Sequence, residues 1–134
     1  MIPGQARFSV DVRNSDKKLL ESAIDQICRT VADICRERQL NYDIDRMAEA
    51  DPVALSRNIV ELLEKNSFKR NTKSFKMISG AGHDTALVAG LTQAGMIFVP
   101  SRDGRSHCPQ EFTRIEDIVL GCQILLDTAV ELAA

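Results

Sequence analysis

The sequence lacks the features that place a protein in a membrane or on a nucleic acid. No run approaches the ~20 consecutive apolar residues that span a bilayer, and the N-terminal residues 1–7 have neither the basic nor the apolar region of a secretory signal. The net charge is -2, and the Lys-rich stretch 65–76 reads as a solvated connection rather than a basic groove. We therefore expect neither a nucleic-acid partner nor a membrane partner.

The cysteines show no sign of a disulfide framework or a redox pair. None of the four forms a Cys-x-x-Cys pair, and Cys28 and Cys35 lie seven residues apart on an apolar helical face, where free cysteine behaves as a small hydrophobe. This pattern favours a reduced, cytoplasmic protein. The length of 134 residues, with 44% hydrophobic and 27% charged residues, suits one ordinary globular domain with a real core.

Residues 1–48 read as a β-α-β unit. Phe8, Val10 and Val12 alternate with polar residues from Arg7 to Arg13, which predicts a half-buried strand. N-cap residues at 14–16 then open a long amphipathic helix that reaches about Arg38. A second alternation over 40–45 predicts another strand.

The rest of the chain reads as helix, strand, helix, strand and helix. Asp51-Pro52 is a helix opening, the polar stretch 66–74 is a connection, and Thr113 with Glu116 forms a capping box before the last helix. The apolar runs 75–78 and 96–99 flank a segment that reads as a third helix, with Leu87, Val88 and Leu91 at the spacing of one buried face. Strand, helix and strand predict a right-handed crossover between two parallel strands. The fold class expected overall is therefore α/β.

Both histidines of the chain lie in loops that follow the two apolar runs. His83 follows Phe75–Ile78 within Ser79-Gly-Ala-Gly-His-Asp84, and His107 follows Met96–Val99 within Gly104-Arg-Ser-His-Cys-Pro-Gln-Glu111. Ligands of parallel sheets bind beyond the carboxyl ends of the strands, so we expect both loops at one rim. The glycines before His83 also permit an anion site at the helix start.

These motifs, with Met96-Ile-Phe-Val-Pro-Ser101 between them, resemble the C-terminal part of zinc-dependent amidohydrolases. The branch includes N-carbamoyl-L-amino acid hydrolases, allantoate amidohydrolases and beta-ureidopropionases. Ile2-Pro-Gly4 and Phe8-Ser-Val-Asp-Val-Arg13 resemble the lid-domain segment of the same family. The resemblance implies a partial lid and dimerisation domain over residues 1–50, followed by the C-terminal part of a catalytic domain over 51–134.

The resemblance also implies roles for individual residues. His107 matches a metal ligand, and Arg13 matches the residue that binds the substrate carboxylate, although a solvated arginine is the plainer interpretation. Asp84 and Glu111 would support the site from behind, Glu111 by orienting the imidazole of His107. A surface Glu accounts for Glu111 equally well, and structural support of the helix start is the commoner role for an Asp such as Asp84. The substrate-binding set implied beside Arg13 is Ala81, Gly82, His83 and Ser106.

Most ligands of the two metal ions that such enzymes carry, zinc or manganese, would lie outside this chain. A catalytic zinc site needs about three protein ligands, and the sequence has two histidines in total. We therefore expect a C-terminal portion of an amidohydrolase that is inactive alone and forms a homodimer; a truncated chain, a split gene and a degraded gene each account for it. The substrate is expected to be a small carboxylate-bearing amide: a carbamoyl amino acid, allantoate or ureidopropionate. The alternative is a non-catalytic α/β dimerisation module.

Overall fold

A computed structural model describes residues 3–134 of the chain; Met1 and Ile2, where the predicted lid segment begins, lie outside the described residues. The chain divides into two compact units, Met1–Val53 and Ala54–Ala134. The identity of these units as lid and catalytic domains stays a prediction. Within residues 3–134, no helix is both long and apolar enough to cross a membrane.

The first unit contains one long helix, α1 (Lys17–Glu37). Its start follows from local chemistry, because the Asp16 carboxylate accepts the backbone N–H groups of Lys18 at 2.8 Å and Leu19 at 3.1 Å. The predicted helix is confirmed. Its apolar stripe is at most half-buried, and the residues on either side of the helix form no regular element in the described chain.

The second unit contains three further helices: α2 (Arg57–Lys69), α3 (Asp84–Ala89) and α4 (Ile115–Ala133). The core lies where α2 packs against α4, with Leu63 and Ile124 buried. Asn66 of α2, fully buried, donates from Nδ2 to Thr128 Oγ1 of α4 at 3.2 Å. The same face therefore carries both the apolar core and an internal polar contact.

Ion pairs line the rim of this helix pair. Arg70 donates from Nε and Nη2 to both carboxylate oxygens of Asp127, at 2.6 and 3.0 Å. Glu131 accepts from Lys65 Nζ at 2.8 Å and also from Lys69 Nζ. These two lysines lower the pKa of Glu131 from 4.5 to about 2 through their hydrogen bonds.

The segment 95–99 lies against the pair of helices α2 and α4 and leads into the loop 101–111. At Gly95 an added Cβ would lie well under 3.0 Å from Ile59 of α2, and at Gly121 of α4 it would lie 2.7 Å from Val99 Cγ1. Both glycines therefore allow a close approach of the segment to the helices. The segment is thus fixed at one end on α2 and at the other on α4.

The predicted α/β architecture is wrong. Residues 3–134 contain no β-strand, so neither the partial β-α-β unit nor the parallel strand-helix-strand is present. The physical reason is that a strand exists only when a neighbour completes its hydrogen-bonded ladder, which an alternating sequence cannot supply by itself. The apolar side chains of the expected strands are accordingly exposed, with Phe8 at 73% and Phe75 at 80%.

Three further predictions about helices are also wrong. Helix α2 begins at Arg57 rather than after Asp51-Pro52. The expected capping box is not used, since Arg114 is the N-cap of α4 and no side chain caps it. The face of the third helix expected to be buried is open to solvent, with Leu87 76% and Leu91 90% exposed.

Candidate functional site

The first candidate loop, residues 79–84, is held by a serine and a histidine. The Ser79 hydroxyl lies 2.6 Å from His83 Nε2, and the same oxygen accepts the backbone N–H of Ala81 at 3.2 Å. The carbonyl of His83 accepts the N–H of Ala86 at 2.9 Å, which starts α3. Three short contacts thus set the path of the chain through Gly80, Ala81 and Gly82.

His83 also connects this loop to the segment 95–99. Its ring meets the ring of Phe98 edge-on, with centroids 5.5 Å apart and planes at 64°. The neighbouring Thr85 hydroxyl donates to the sulfur of Met96 at 3.9 Å. Because Phe98 precedes Pro100 and Ser101, the ring contact joins the first loop to the stem of the second.

The second candidate loop, residues 101–111, closes on itself. The Arg102 N–H donates to the Phe112 carbonyl at 2.8 Å, and the Arg102 guanidinium lies 4.4 Å from the centre of the Phe112 ring. Inside the closure, the Ser101 hydroxyl donates to the Arg105 carbonyl at 2.6 Å, and a single 3₁₀ turn spans Arg102–Gly104. The loop therefore has a defined stem from which its tip projects.

His107 lies at that tip in the left-handed backbone region, with φ of 57°. This conformation is uncommon for a residue with a side chain. The Glu111 carboxylate holds it by accepting the backbone N–H of His107 at 3.0 Å, while the Glu111 N–H donates to the Cys108 carbonyl at 3.0 Å. Glu111 thus supports the backbone of His107, where the resemblance implied that it orients the imidazole.

The other predicted site residues of the second unit belong to the two loops. Ala81, Gly82, Asp84 and Ser106 are exposed, and His83 is half-buried. A Cβ added at Gly82 would meet no atom within 4 Å, so open space borders the loop beside His83. In the part of the chain that the structure describes, no hydrogen bond or ring contact joins His83 directly to His107.

Arg13 belongs to the first unit and holds a carboxylate of its own chain. Its Nε lies 3.0 Å from Asp11 Oδ1, and its Nη2 lies 2.5 Å from Oδ2. These hydrogen bonds lower the pKa of Asp11 and raise that of Arg13. Arg13 is thus already engaged in two-pronged carboxylate binding, with both side chains more than half exposed.

The described residues do not form a complete metal site. Across residues 3–134, no three His, Cys, Asp or Glu side chains converge as metal ligands. His107 offers one exposed imidazole, whereas a catalytic zinc ion needs about three protein ligands. A metal bound here would need further ligands from beyond this set.

Two contacts of the candidate site residues were not predicted from the sequence, those of Asp11 with Arg13 and of Ser79 with His83, although a signal existed for the first. Asp11 shares a strand-like face with Arg13 at a spacing of two, which predicts that their side chains are neighbours. Ser79 stands inside the first motif, but nothing in its spacing indicated a contact with the His83 ring. That contact depends on the loop folding back through its glycines.

Comparison with known proteins identifies the family of the chain that carries these two loops. Residues 3–131 match the model of peptidase family M20/M25/M40. Because the match covers nearly the whole chain, the protein belongs to that family. The resemblance drawn from the sequence motifs is thereby confirmed.

The relatives are named amidohydrolases and hydrolases. The chain is 33% identical over 125 residues to the N-carbamoyl-L-amino-acid amidohydrolase of Paenarthrobacter aurescens, covering 93% of this chain and 30% of the relative. It is 32% identical over 133 residues to the allantoate amidohydrolase of Escherichia coli, covering 99% and 32%. It is 30% identical over 125 residues to the ureidoglycolate hydrolase of Oryza sativa, covering 92% and 26%. The chain thus spans about a third of the length of these relatives or less.

Proposed function

We propose that this chain is the C-terminal portion of a metal-dependent amidohydrolase that cleaves a linear ureido or amide C–N bond of a small carboxylic acid. The observation that carries the proposal is the family match over residues 3–131, together with relatives named for carbamoyl amino acids, allantoate and ureidoglycolate. These three compounds share one chemical core, a ureido nitrogen on the carbon that bears a carboxylate. An enzyme for any of them needs a carboxylate-binding group.

Arg13 fits the role of that group. A guanidinium binds a carboxylate through two parallel hydrogen bonds, and Arg13 makes this arrangement with Asp11 in the first unit. In the proposed enzyme, the substrate carboxylate takes the place of Asp11 or shares Arg13 with it. Because both side chains are exposed, the exchange requires no buried charge to be uncovered.

The loops of the second unit would contribute hydrogen-bonding groups and one imidazole. Ala81 and Gly82 are exposed, a Cβ added at Gly82 would meet no atom within 4 Å, and His83 is held beside them by Ser79. His107 offers a single metal ligand at the tip of a loop that Glu111 holds in shape. Since the described residues supply no complete metal site, no step of the reaction is assigned to a metal held by them.

A chimeric enzyme tests the proposal. Residues 1–134 would replace the aligned segment of the Paenarthrobacter aurescens N-carbamoyl-L-amino-acid amidohydrolase, and ammonia release from an N-carbamoyl amino acid would be measured. We expect turnover that disappears with His107→Ala. The 134-residue chain alone serves as the baseline, and we expect it to be inactive with added zinc or manganese.

A second host guards against a mismatch at the junction. The same replacement in the Escherichia coli allantoate amidohydrolase, assayed with allantoate, gives an independent reading. Chimeras that unfold as cooperatively as their parent enzymes, yet hydrolyse neither substrate, would contradict the proposed function. Such a result would favour a non-catalytic module instead.

A further inference from the structure

The hydrogen bonds around Ser79 bear on which nitrogen of His83 carries the proton. The Ser79 oxygen already accepts the Ala81 N–H at 3.2 Å, and it lies 2.6 Å from His83 Nε2. A serine hydroxyl has one proton to donate. If Nε2 were protonated, it would donate to Ser79, and the proton of the half-buried hydroxyl would have to turn to solvent for its acceptor.

In the other arrangement, the hydrogen bonds form a chain that runs in one direction. The Ala81 N–H donates to the Ser79 oxygen, and the Ser79 hydroxyl donates to a bare His83 Nε2. The separation of 2.6 Å suits a hydroxyl donor, and bonds aligned in a chain strengthen one another. The neutral ring then carries its proton on Nδ1, which has no hydrogen-bond partner among residues 3–134.

We propose that Ser79 is a positioning residue that holds His83 in its Nδ1–H form, so that the ring presents one fixed N–H donor to an oxygen of the substrate. The edge-on contact with Phe98 limits rotation of the ring. The open space at Gly82 leaves room for a ligand beside it. That the oxygen belongs to a ureido acid rests on the proposed function. The proton position on the His83 ring does not depend on that function.

The state of the ring is measurable in the 134-residue chain by nitrogen-15 NMR of the imidazole groups, at a pH well above the ordinary imidazole pKa. His107→Ala identifies which of the two histidine signals belongs to His83. We expect the Nδ1–H form in the native chain and in Ser79→Thr, which keeps the hydroxyl. Ser79→Ala is expected to release the ring into a mixture of the two forms. A native His83 that carries its proton on Nε2, or a ring that Ser79→Ala leaves unchanged, would overturn the inference.

Kinetics of the chimera show whether His83 donates a hydrogen bond to the substrate or only holds the loop in shape. His83→Gln places an amide near the Nε2 position and keeps a contact for Ser79, but it lacks a group at Nδ1. We expect it to lower kcat/KM about threefold to tenfold, as for one lost neutral hydrogen bond, with Ser79→Ala lowering it and Ser79→Thr restoring it. Full activity of His83→Gln would mean that His83 only stabilises the loop, and it would overturn the proposed role as a donor to the substrate. Parent chimeras that unfold cooperatively but are inactive in both hosts would instead refute the proposed function, while the NMR result would still decide whether Ser79 sets the state of the ring.

Discussion

The packing of Gly95 against α2 gives the sharpest test of the structure. A Cβ at this position would lie well under 3.0 Å from Ile59 Cγ2, 3.1 Å from Ile59 Cβ and 3.6 Å from Leu63 Cδ1. Ile59 is β-branched and lies in a helix, so its side chain has almost no other rotamer. Relief must therefore come from a shift of the backbone, and such overpacking costs about 1–3 kcal/mol.

Urea unfolding followed by far-UV circular dichroism measures this cost. We expect Gly95→Ala to lower the free energy of unfolding of the second unit by about 1–3 kcal/mol. Gly82→Ala is the matched control, because its new Cβ meets no atom within 4 Å. Both changes reduce the freedom of the unfolded chain in the same way, so the difference between them isolates the clash.

A double mutant identifies the atom responsible. Ile59→Ala removes the Cγ2 atom that the new methyl group would meet, so Gly95→Ala should cost much less in that background. Residues in direct contact show coupling energies of about 0.5–3 kcal/mol. If Gly95→Ala and Gly82→Ala had equal effects, or if the two changes at 59 and 95 were simply additive, the segment 95–99 would not pack on α2 as described.

Three further outcomes are expected. In the chimera, Arg13→Ala should weaken carboxylate-bearing substrates about tenfold to a hundredfold relative to neutral analogues, as for a charged two-pronged contact; equal losses in kcat/KM would assign Arg13 to structure. The folded-state pKa of Glu131 is about 2, below its ordinary 4.5, so its stabilising effect should be complete above pH 4.5 and lost as the pH falls towards 2. The urea midpoints of the native chain and Glu131→Gln should therefore converge in acid, and a constant gap would contradict the pairing. Because Phe8 and Phe75 are 73% and 80% exposed, the chain should form a dimer at micromolar concentration; a stable 14.9 kDa monomer in sedimentation equilibrium would count against this.

Helix α1 was predictable because its signal is local. Asp16 caps the helix through backbone groups two and three residues away, so the necessary atoms are present in the sequence window itself. The start of α2 was not predictable in this way. Ser56 donates its N–H to the Ala94 carbonyl at 2.8 Å and its hydroxyl to Gln93 at 3.1 Å, so residues almost forty positions away decide where the helix begins.

Asp51 shows how a correct local rule loses to such contacts. Asp before Pro is a good helix opening, but the Asp51 carboxylate binds Lys17 Nζ at 2.6 Å within the first unit and caps no helix. The prediction of the strands was wrong for a related reason. Alternation identifies residues suited to a sheet, but it does not provide the neighbouring strand that the sheet needs. Local rules therefore succeeded where a short window held both partners of each bond.

The candidate loops were predicted only in part from the sequence. The motifs placed His83 and His107 on loops, and the structure places them there. What the motifs did not reveal is which atom holds each histidine: the hydroxyl of Ser79 for one ring, and the Glu111 carboxylate for the backbone of the other. Both contacts join residues four apart through irregular backbone, and at His107 that backbone has a positive φ, which is uncommon for a residue with a side chain.

The scaffold and the first loop are linked through one short segment. Gly95 lets the segment approach α2, and Gly121 lets α4 approach Val99. Phe98, next to Val99, then meets the ring of His83. The packing of this segment against two helices at Gly95 and Gly121 thus sets the position of the Phe98 ring. That ring in turn limits the orientation of the imidazole that contacts Ser79. We therefore expect Gly95→Ala, far in sequence from Ser79, to shift the His83 ring through Phe98 as well as to lower stability.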